Sequence, residues 1–519
     1  MTVETNMKFS LLDDSLIRVR LLNKKIREVS LPEIYPMLIG DKILGFEALQ
    51  PHQHQPWFSF LVQLGAMTVA RETNGTIPDQ TDEWKKALLR LAGNSEAAWH
   101  LVVKDVSKPA FLQSPVPEGS LENAGYKSDI STPDELDMLV TSKNHDLKGS
   151  RVRNPNPEHW LFALLTLQTM EGFLGRGNYG IVRMNGGFGN RPFVGFAPGF
   201  SWGSRVTRDL RVLLRNRHRL TEYYKEDGHA LLWNLPWDGK RTSALSLEDC
   251  DPFFLEICRR IRFRTNKDNK IICQRTNTEA ARIFAVEDLK GRTGDPWTPI
   301  EKKGVKALTL GGAGFSYNIL QQVLLGEEFS EPISMEIQEN EKESMLLITQ
   351  ALIRGQGKTD GLHLRLVPIP SNVYRLFSST SEKQKLAERS KARVDKAQKM
   401  QLKVLGPSIS LLLSSGDSKK IDYEKIAPWT ERFSRAIDNL FFDSLWESVQ
   451  KNQLESHKEW DNILFREAEK LLKEAERSTP LSNIRRWKAI SQARGRFYGS
   501  ARRHFDHLFQ NKVETSNLA

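Results

Sequence analysis

Apolar and polar positions follow two different rhythms along this chain of 519 residues, and the change comes near residue 376. Before it, strand-like stretches such as KFSLLDDSLIRVRLL (8–22) are interleaved with helical runs at 56–71 (PWFSFLVQLGAMTVAR) and 160–174 (WLFALLTLQTMEGFL), separated by Gly- and Pro-rich turns. SMLLITQALI (344–353) and LHLRLVPI (362–369) read as paired strands around a tight polar tip. From about Ser381 onward glycine and proline become scarce, and a 3.6-residue period predicts helices over roughly 381–403, 423–452, 455–477 and 481–510. Breaks are expected near Gly406-Pro407, Gly416 and Pro480. The expected architecture is α+β: a large mixed N-terminal domain over 1–375, then a C-terminal four-helix bundle over 376–519. No repeat with a period of 20–50 residues is visible.

Charge sharpens this division. Residues 376–519 hold 27 Lys and Arg against 19 Asp and Glu, which leaves 48 against 45 for residues 1–375. A basic excess raises affinity for polyanions through counterion release. Its densest stretch is the last helical segment, where Arg485, Arg486, Lys488, Arg494, Arg496, Arg502 and Arg503 occur with no acidic residue among them. Several fall at helical spacing, while Trp487, Ile490, Phe497 and Phe505 are expected to form the opposite, packed face. A solvated helix face usually mixes both signs, so phosphate contact is the favoured reading over a merely hydrated surface.

Other features exclude whole classes of protein. No run of about 18 uncharged apolar residues occurs, and the N-terminal residues lack a signal-peptide pattern, so a cytoplasmic protein with no membrane partner is expected. Cys250, Cys258 and Cys273 are too few for a disulfide framework or a four-ligand zinc site and are read as buried thiols. His52 and His54 have no third ligand at a recognised spacing, and no G-x-S-x-G or H-E-x-x-H motif is present; neither metal nor cofactor is expected. The segment Arg354-Gly355-Gln356-Gly357-Lys358-Thr359 contains Gly-Lys-Thr, and a nuclease or NTPase using that turn is the alternative function. A Walker A loop, however, needs glycine where Leu352 stands, and a helix where a strand pattern follows.

Three loops are better suited to binding. Asn185-Gly186-Gly187-Phe188-Gly189 lacks side-chain bulk and permits close backbone approach to a ligand. Lys143, Asn144, His145 and Lys148 lie in a polar, basic loop, and Lys290 and Arg292 edge a Gly-Asp-Pro-Trp turn. For each the competing reading is an ordinary surface turn.

The order of these parts resembles the CasA large-subunit family of the type I-E CRISPR Cascade complex. The resemblance is carried collinearly by Leu11-Leu12-Asp13, the apolar helix at 56–71, Pro-Ala-Phe-Leu-Gln at 109–113, TSKNHDLKG, NGGFGNRP, DPWTP, RGQGKTDG and the final basic helix. It implies a non-catalytic subunit that reads a protospacer-adjacent motif in double-stranded DNA and starts target unwinding. On this chain it assigns motif reading to Asn185–Gly189. The unwinding wedge falls to the hairpin with Arg354, Gln356, Gly357 and Lys358, and a lysine finger to Lys290 beside Arg292. Lys143, Asn144, His145 and Lys148 are assigned to the guide RNA or a neighbouring subunit. The displaced strand would meet Arg485, Lys488, Arg494, Arg496, Arg502 and Arg503. The implied partners are guide RNA, the backbone, handle-binding and small Cascade subunits, target DNA, and a helicase-nuclease or other nuclease effector. Some family members carry a zinc-binding cysteine cluster, which this chain lacks.

Overall fold

The computed structural model describes the chain except residues 1–6, 140–151, 153, 185–189, 222, 285–288, 327, 340, 342, 356–357, 417–422, 480–482 and 511–519. It divides into two compact units: 1–315 with 328–368, and 316–327 with 369–519.

The first unit is mixed α and β around one large core. At its centre lies α1 (His54–Glu72), buried on every side from Gln55 to Val69. A helix apolar all round belongs in a core, and its few polar groups are satisfied there: Ser59 and Thr68 donate back to the carbonyls of Gln55 and Leu64. α2 (Pro157–Met170) packs beside it. Its N-terminus is set by Pro157 in the first turn and by Asn156, whose backbone N–H donates to His159 Nδ1 at 3.0 Å. β1 (Phe193–Ala197) and α3 (Trp202–Asn216) follow. Next come β2 (Cys250–Leu255) and the antiparallel hairpin of β3 (Arg260–Thr265) and β4 (Ile271–Thr276).

The two strands expected around the polar tip are β5 (Met345–Gly355) and β6 (Lys358–Ile369). β5 is the centre of a three-stranded sheet in the order β6-β5-β1, and pairs antiparallel with β1 from Leu346↔Ala197 to Gln350↔Phe193. β5 is buried almost throughout, which is why it reads as a continuous apolar run. β6 alternates, with Leu362, Leu364 and Leu366 on its exposed side.

The second unit is helical. α4 (Tyr317–Leu325), from sequence expected in the N-terminal body, packs here: Tyr317 N–H donates to Asp438 Oδ1 at 2.5 Å and its ring lies 4.7 Å from Phe441. α5 (Thr380–Lys399) leads into a π-helical segment, Met400–Leu405, and then α6 (Gly406–Leu413). The break expected at Gly406-Pro407 is therefore a widened turn inside a continuing helix. Pro407 cannot donate the next helical bond, and the Gly406 N–H instead reaches the Gln401 carbonyl, five residues back. A Cβ at Gly406 would sit 3.1 Å from that same oxygen, so glycine fits the turn. α7 (Tyr423–Glu447), α8 (Gln453–Ser478) and α9 (Asn483–His504) complete the set. Trp460 anchors their core, donating to the Arg393 carbonyl at 3.1 Å.

Candidate nucleic-acid interface

In the first unit the candidate loops share buried, charged roots. Asn185–Gly189, Gln356, Gly357, Lys143, Asn144, His145 and Lys148 lie outside the described residues, but the residues that hold each segment's ends are described. On the far side of the glycine loop, Asn190 exchanges hydrogen bonds with both backbone groups of Leu310. Arg191 is buried and pairs with Asp295 at 2.5 Å, while its carbonyl accepts from Gln55. On the near side, Arg183 donates to the Phe254 carbonyl at 2.9 Å and lies 4.1 Å over that residue's ring. The Val182 N–H donates to Glu256 Oε1 at 2.6 Å. Burial raises the Glu256 carboxyl to about 7, against the pull of Arg183, the Val182 N–H and Arg191.

Through Arg191, Asp295 also ties the segment just after the glycine loop to the turn bearing Lys290 and Arg292. Trp297, two residues on, is buried and donates to Asp209 Oδ2 at 2.8 Å. Lys290 and Arg292 themselves are exposed, and the Lys290 backbone has φ 46°. This turn is thus a rigid mount with two outward cations, as its Gly-Asp-Pro-Trp sequence suggests.

Arg354 is placed differently from the expectation. It is buried, donates to the Met138 carbonyl, and lies 3.4 Å from Glu171 Oε1. Its side chain anchors β5 and is not presented at the hairpin tip. Glu171 takes a second cation, Arg259, at 3.1 Å, and Arg259 in turn holds the carbonyls of Gly172 and Tyr179. Met138 lies just before the segment containing Lys143–Lys148, so one buried carboxylate joins the roots of that segment, of the hairpin and of the stretch before the glycine loop. Lys358 opens strand β6. No helix N-terminus follows the Gly-Lys-Thr to receive a nucleotide's phosphates, which is the geometry an NTPase would need.

Sequence reasoning did not find Glu171, Arg183, Arg259 or Glu256, because isolated charges in apolar surroundings carry no spacing signature. The other chemical candidates are structural. His52 Nε2 and Gln53 Nε2 both meet Asp137, at 2.8 and 2.7 Å. The three cysteines are buried, and burial pushes Cys250 and Cys258 each up to about 12, so they are not thiolates near neutral pH. Among the described residues no group of three His, Cys, Asp or Glu is placed to hold a metal, and no helix is long and apolar enough to cross a membrane.

In the second unit, α9 buries Ala489, Ala493, Phe497 and Ala501 at four-residue steps. The packed face is thus a ladder of small residues around Phe497. Trp487, expected there, is instead 72% exposed, and Ile484 is 87% exposed. Small residues let α9 lie close along α6, and the bulky pair is left outside. The basic residues divide as well. Arg494 makes a two-pronged pair with Glu476, at 2.8 and 2.7 Å, and Arg502 lies 5.4 Å from the Phe509 ring centre. Arg485, Lys488, Arg496 and Arg503 are exposed, and so are Arg494 and Arg502 while making these contacts. Arg494→Ala is accordingly expected to lower stability by about 1–3 kcal/mol, by leaving the buried Glu476 carboxylate without its partner. Urea unfolding measures this, and Arg496→Ala in parallel should change stability by less than about 0.5 kcal/mol.

No protein-family model and no curated protein matches the sequence. Solved structures do match. Cse1 of Thermobifida fusca is 14% identical, covering 97% of this chain and 99% of that one with a TM-score of 0.66. CasA of Thermus thermophilus is 16% identical over 94% and 98%, with a TM-score of 0.61. A chain of a CRISPR RNA-guided surveillance complex is 12% identical over 94% and 99%, with a TM-score of 0.54. Over nearly its whole length, from the mixed N-terminal unit through the helical C-terminal region, this chain has the fold of the CasA (Cse1) proteins.

Proposed function

We propose that this protein is a non-catalytic large subunit of an RNA-guided CRISPR surveillance complex, which recognises a short motif beside the target in double-stranded DNA and begins its unwinding. The observation that carries the reading is the near-complete fold match to CasA and Cse1 structures, joined to loops whose sequence suits groove contact. In such a division of labour the protein reads a short duplex motif and base pairing with a guide reads the rest. The Asn185–Gly189 loop would follow the minor groove, whose donor and acceptor pattern is degenerate, so a backbone-rich reader gives permissive recognition. Lys290 and Arg292, outward on their rigid turn, supply phosphate contacts that set register without reading sequence. The hairpin tip with Gln356, Gly357 and Lys358 enters under the motif, where parting a base step costs a few kcal/mol that new contacts offset. The segment with Lys143, Asn144, His145 and Lys148 meets the guide RNA or a neighbouring subunit, and the exposed cations of α9 hold the displaced strand for a separate nuclease.

The test is made in the assembled complex. Gln356→Ala should slow target unwinding, read with a fluorescent base placed beside the motif, while guide-RNA assembly is unchanged. Unwinding at the unaltered rate would remove the wedge assignment. Equal affinity for targets with and without the motif would remove motif reading altogether. ATP- or metal-dependent turnover by the purified chain, lost in Lys358→Ala, would show an enzyme instead.

A further inference from the structure

β6 is an edge strand. In the sheet order β6-β5-β1 it is hydrogen-bonded on its β5 side, and among the described residues no strand lies along its other edge. One face of β6 is seated. The His363 ring lies on Gly314, where a Cβ would collide with it, Arg365 Nη1 donates to the Phe315 carbonyl at 2.9 Å, and Val367 and Ile369 are buried. The opposite face is bare: Leu362, Leu364 and Leu366, 36%, 59% and 38% exposed, project from it at two-residue steps.

The open edge and the bare face belong to the same residues. Thr349 Oγ1, on β5, donates to the Arg365 carbonyl at 3.2 Å, so that carbonyl turns toward β5. In an antiparallel strand the backbone groups of alternate residues point to opposite edges, which turns those of Leu364 and Leu366 outward. Natural sheets blunt such an edge with charges, proline or a bulge. On β6 these stand at the ends, Lys358 and Asp360 near the tip and Pro368 at the far end. Between Leu362 and Val367 there is no proline and no acidic residue, and His363 and Arg365 belong to the seated face.

We propose that this edge pairs with the same edge of a second copy of the chain, antiparallel across a twofold axis at Leu364, joining two three-stranded sheets into one of six strands. A second copy is the occupant the pattern itself specifies. An antiparallel edge is self-complementary under a twofold axis, which presents the same patch from both sides. Centring the axis on Leu364 sets that residue opposite its counterpart and Leu362 opposite Leu366 of the other copy, so that six leucines form one apolar patch on a single face. The bare face carries no charge between Leu362 and Leu366, so it offers nothing to a polyanion. Three leucines and a short edge per copy fall below the roughly 1,200 Å² that a standard interface buries, so the dimer is weak, with a Kd above about 1 μM.

The experiment is sedimentation equilibrium of the full-length chain over a range of about 1 to 100 μM, which brackets such affinities. The average mass should climb from monomer toward dimer, with little dependence on salt. Leu364→Lys, at an exposed position, sets two ammonium groups opposite one another and should raise the Kd at least about tenfold with an unchanged melting temperature. Leu364→Glu should do the same. An equimolar mixture of the two variants should dimerise again, because the twofold axis then places opposite charges face to face; damage to the fold would not be repaired by mixing. Leu454→Lys, at an exposed leucine of the helical unit, should leave the Kd unchanged. A chain that stays monomeric throughout overturns the proposal, and if Leu364→Lys then lowers incorporation into the assembled complex, another subunit covers the stripe. A dimer that Leu364→Lys leaves intact, or that the mixture fails to restore, overturns it as well.

Discussion

Glu171→Ala should destabilise the first unit by about 3–5 kcal/mol, the usual cost of removing one partner from a buried ionic group. Glu171 is 5% exposed and faces two guanidinium groups, Arg259 at 3.1 Å and Arg354 at 3.4 Å, themselves each 8% exposed. Without the carboxylate two cations remain in a low-dielectric site. The carbonyls that Arg259 and Arg354 also hold solvate them only in part. Glu171→Gln keeps an acceptor and should cost less. Guanidinium unfolding followed by tryptophan fluorescence measures both; a loss under about 1 kcal/mol for the alanine variant would mean that water or another group replaces the carboxylate. The site also bears on function. A buried ion pair stabilises a fold no better than apolar packing of the same volume, and its better-attested use is to fix a register. Here the register is that of Met138, Arg354 and the Gly172–Tyr179 stretch, the roots of three candidate loops. On the proposed function, Glu171→Gln in the assembled complex should therefore disturb unwinding more than its modest stability loss would suggest.

The fold was legible where periodicity was strong and unopposed. α1, buried all round, and α2 stand at the positions their apolar runs mark, and the paired strands β5 and β6 flank the polar tip. The helices of the C-terminal region begin and end within a few residues of the expected bounds, except at Gly406-Pro407 and at the end of α9, which stops at His504 and not near 510. The Gly-Pro dipeptide signals a helix break by local chemistry alone, but a π-turn absorbs the missing donor when packing on both sides favours continuity. The site was less legible, for two reasons. A periodic pattern does not say which of two faces is inward when both carry apolar residues. α9 is seated on Ala489, Ala493, Phe497 and Ala501, and Trp487 is displaced outward because a ladder of small residues allows the closer approach. Secondly, an arginine in a polar loop and an arginine at its root look alike in sequence. Arg354 and Arg191 stand beside candidate loops yet point into the core, where they meet Glu171 and Asp295. Part of the basic content of residues 1–375 is thus paired internally and is not available to a nucleic acid.

The second large effect is one of pH. Glu256 is buried at the root of the glycine loop, its Oε1 accepting from the Val182 N–H, and its Oε2 has no hydrogen-bond partner among the described residues. Its folded-state carboxyl titrates near 7, above the ordinary 4.5 of the unfolded chain, because burial penalises the charge more than Arg183 and the backbone N–H favour it. A carboxyl raised in this way contributes stability that is fully present below pH 4.5 and is lost as pH rises through 7, since the folded state holds the proton longer. The difference corresponds to as much as about 3 kcal/mol. Glu256→Gln keeps the acceptor for Val182 and places an uncharged amide where Oε2 lies, so it mimics the protonated form at every pH. The variant should match wild type below about pH 4.5 and exceed it progressively between pH 4.5 and 7, with the gap levelling off above pH 7. Parallel stability curves for the two proteins between pH 5 and 8 would show that Glu256 stays ionised throughout, compensated by Arg183. If the gap opens as expected, the root of the glycine loop loosens as the carboxylate forms. Val182 and Arg183 amide protons should then exchange faster in wild type at pH 8 than in Glu256→Gln, while those of α1 should differ only through global stability.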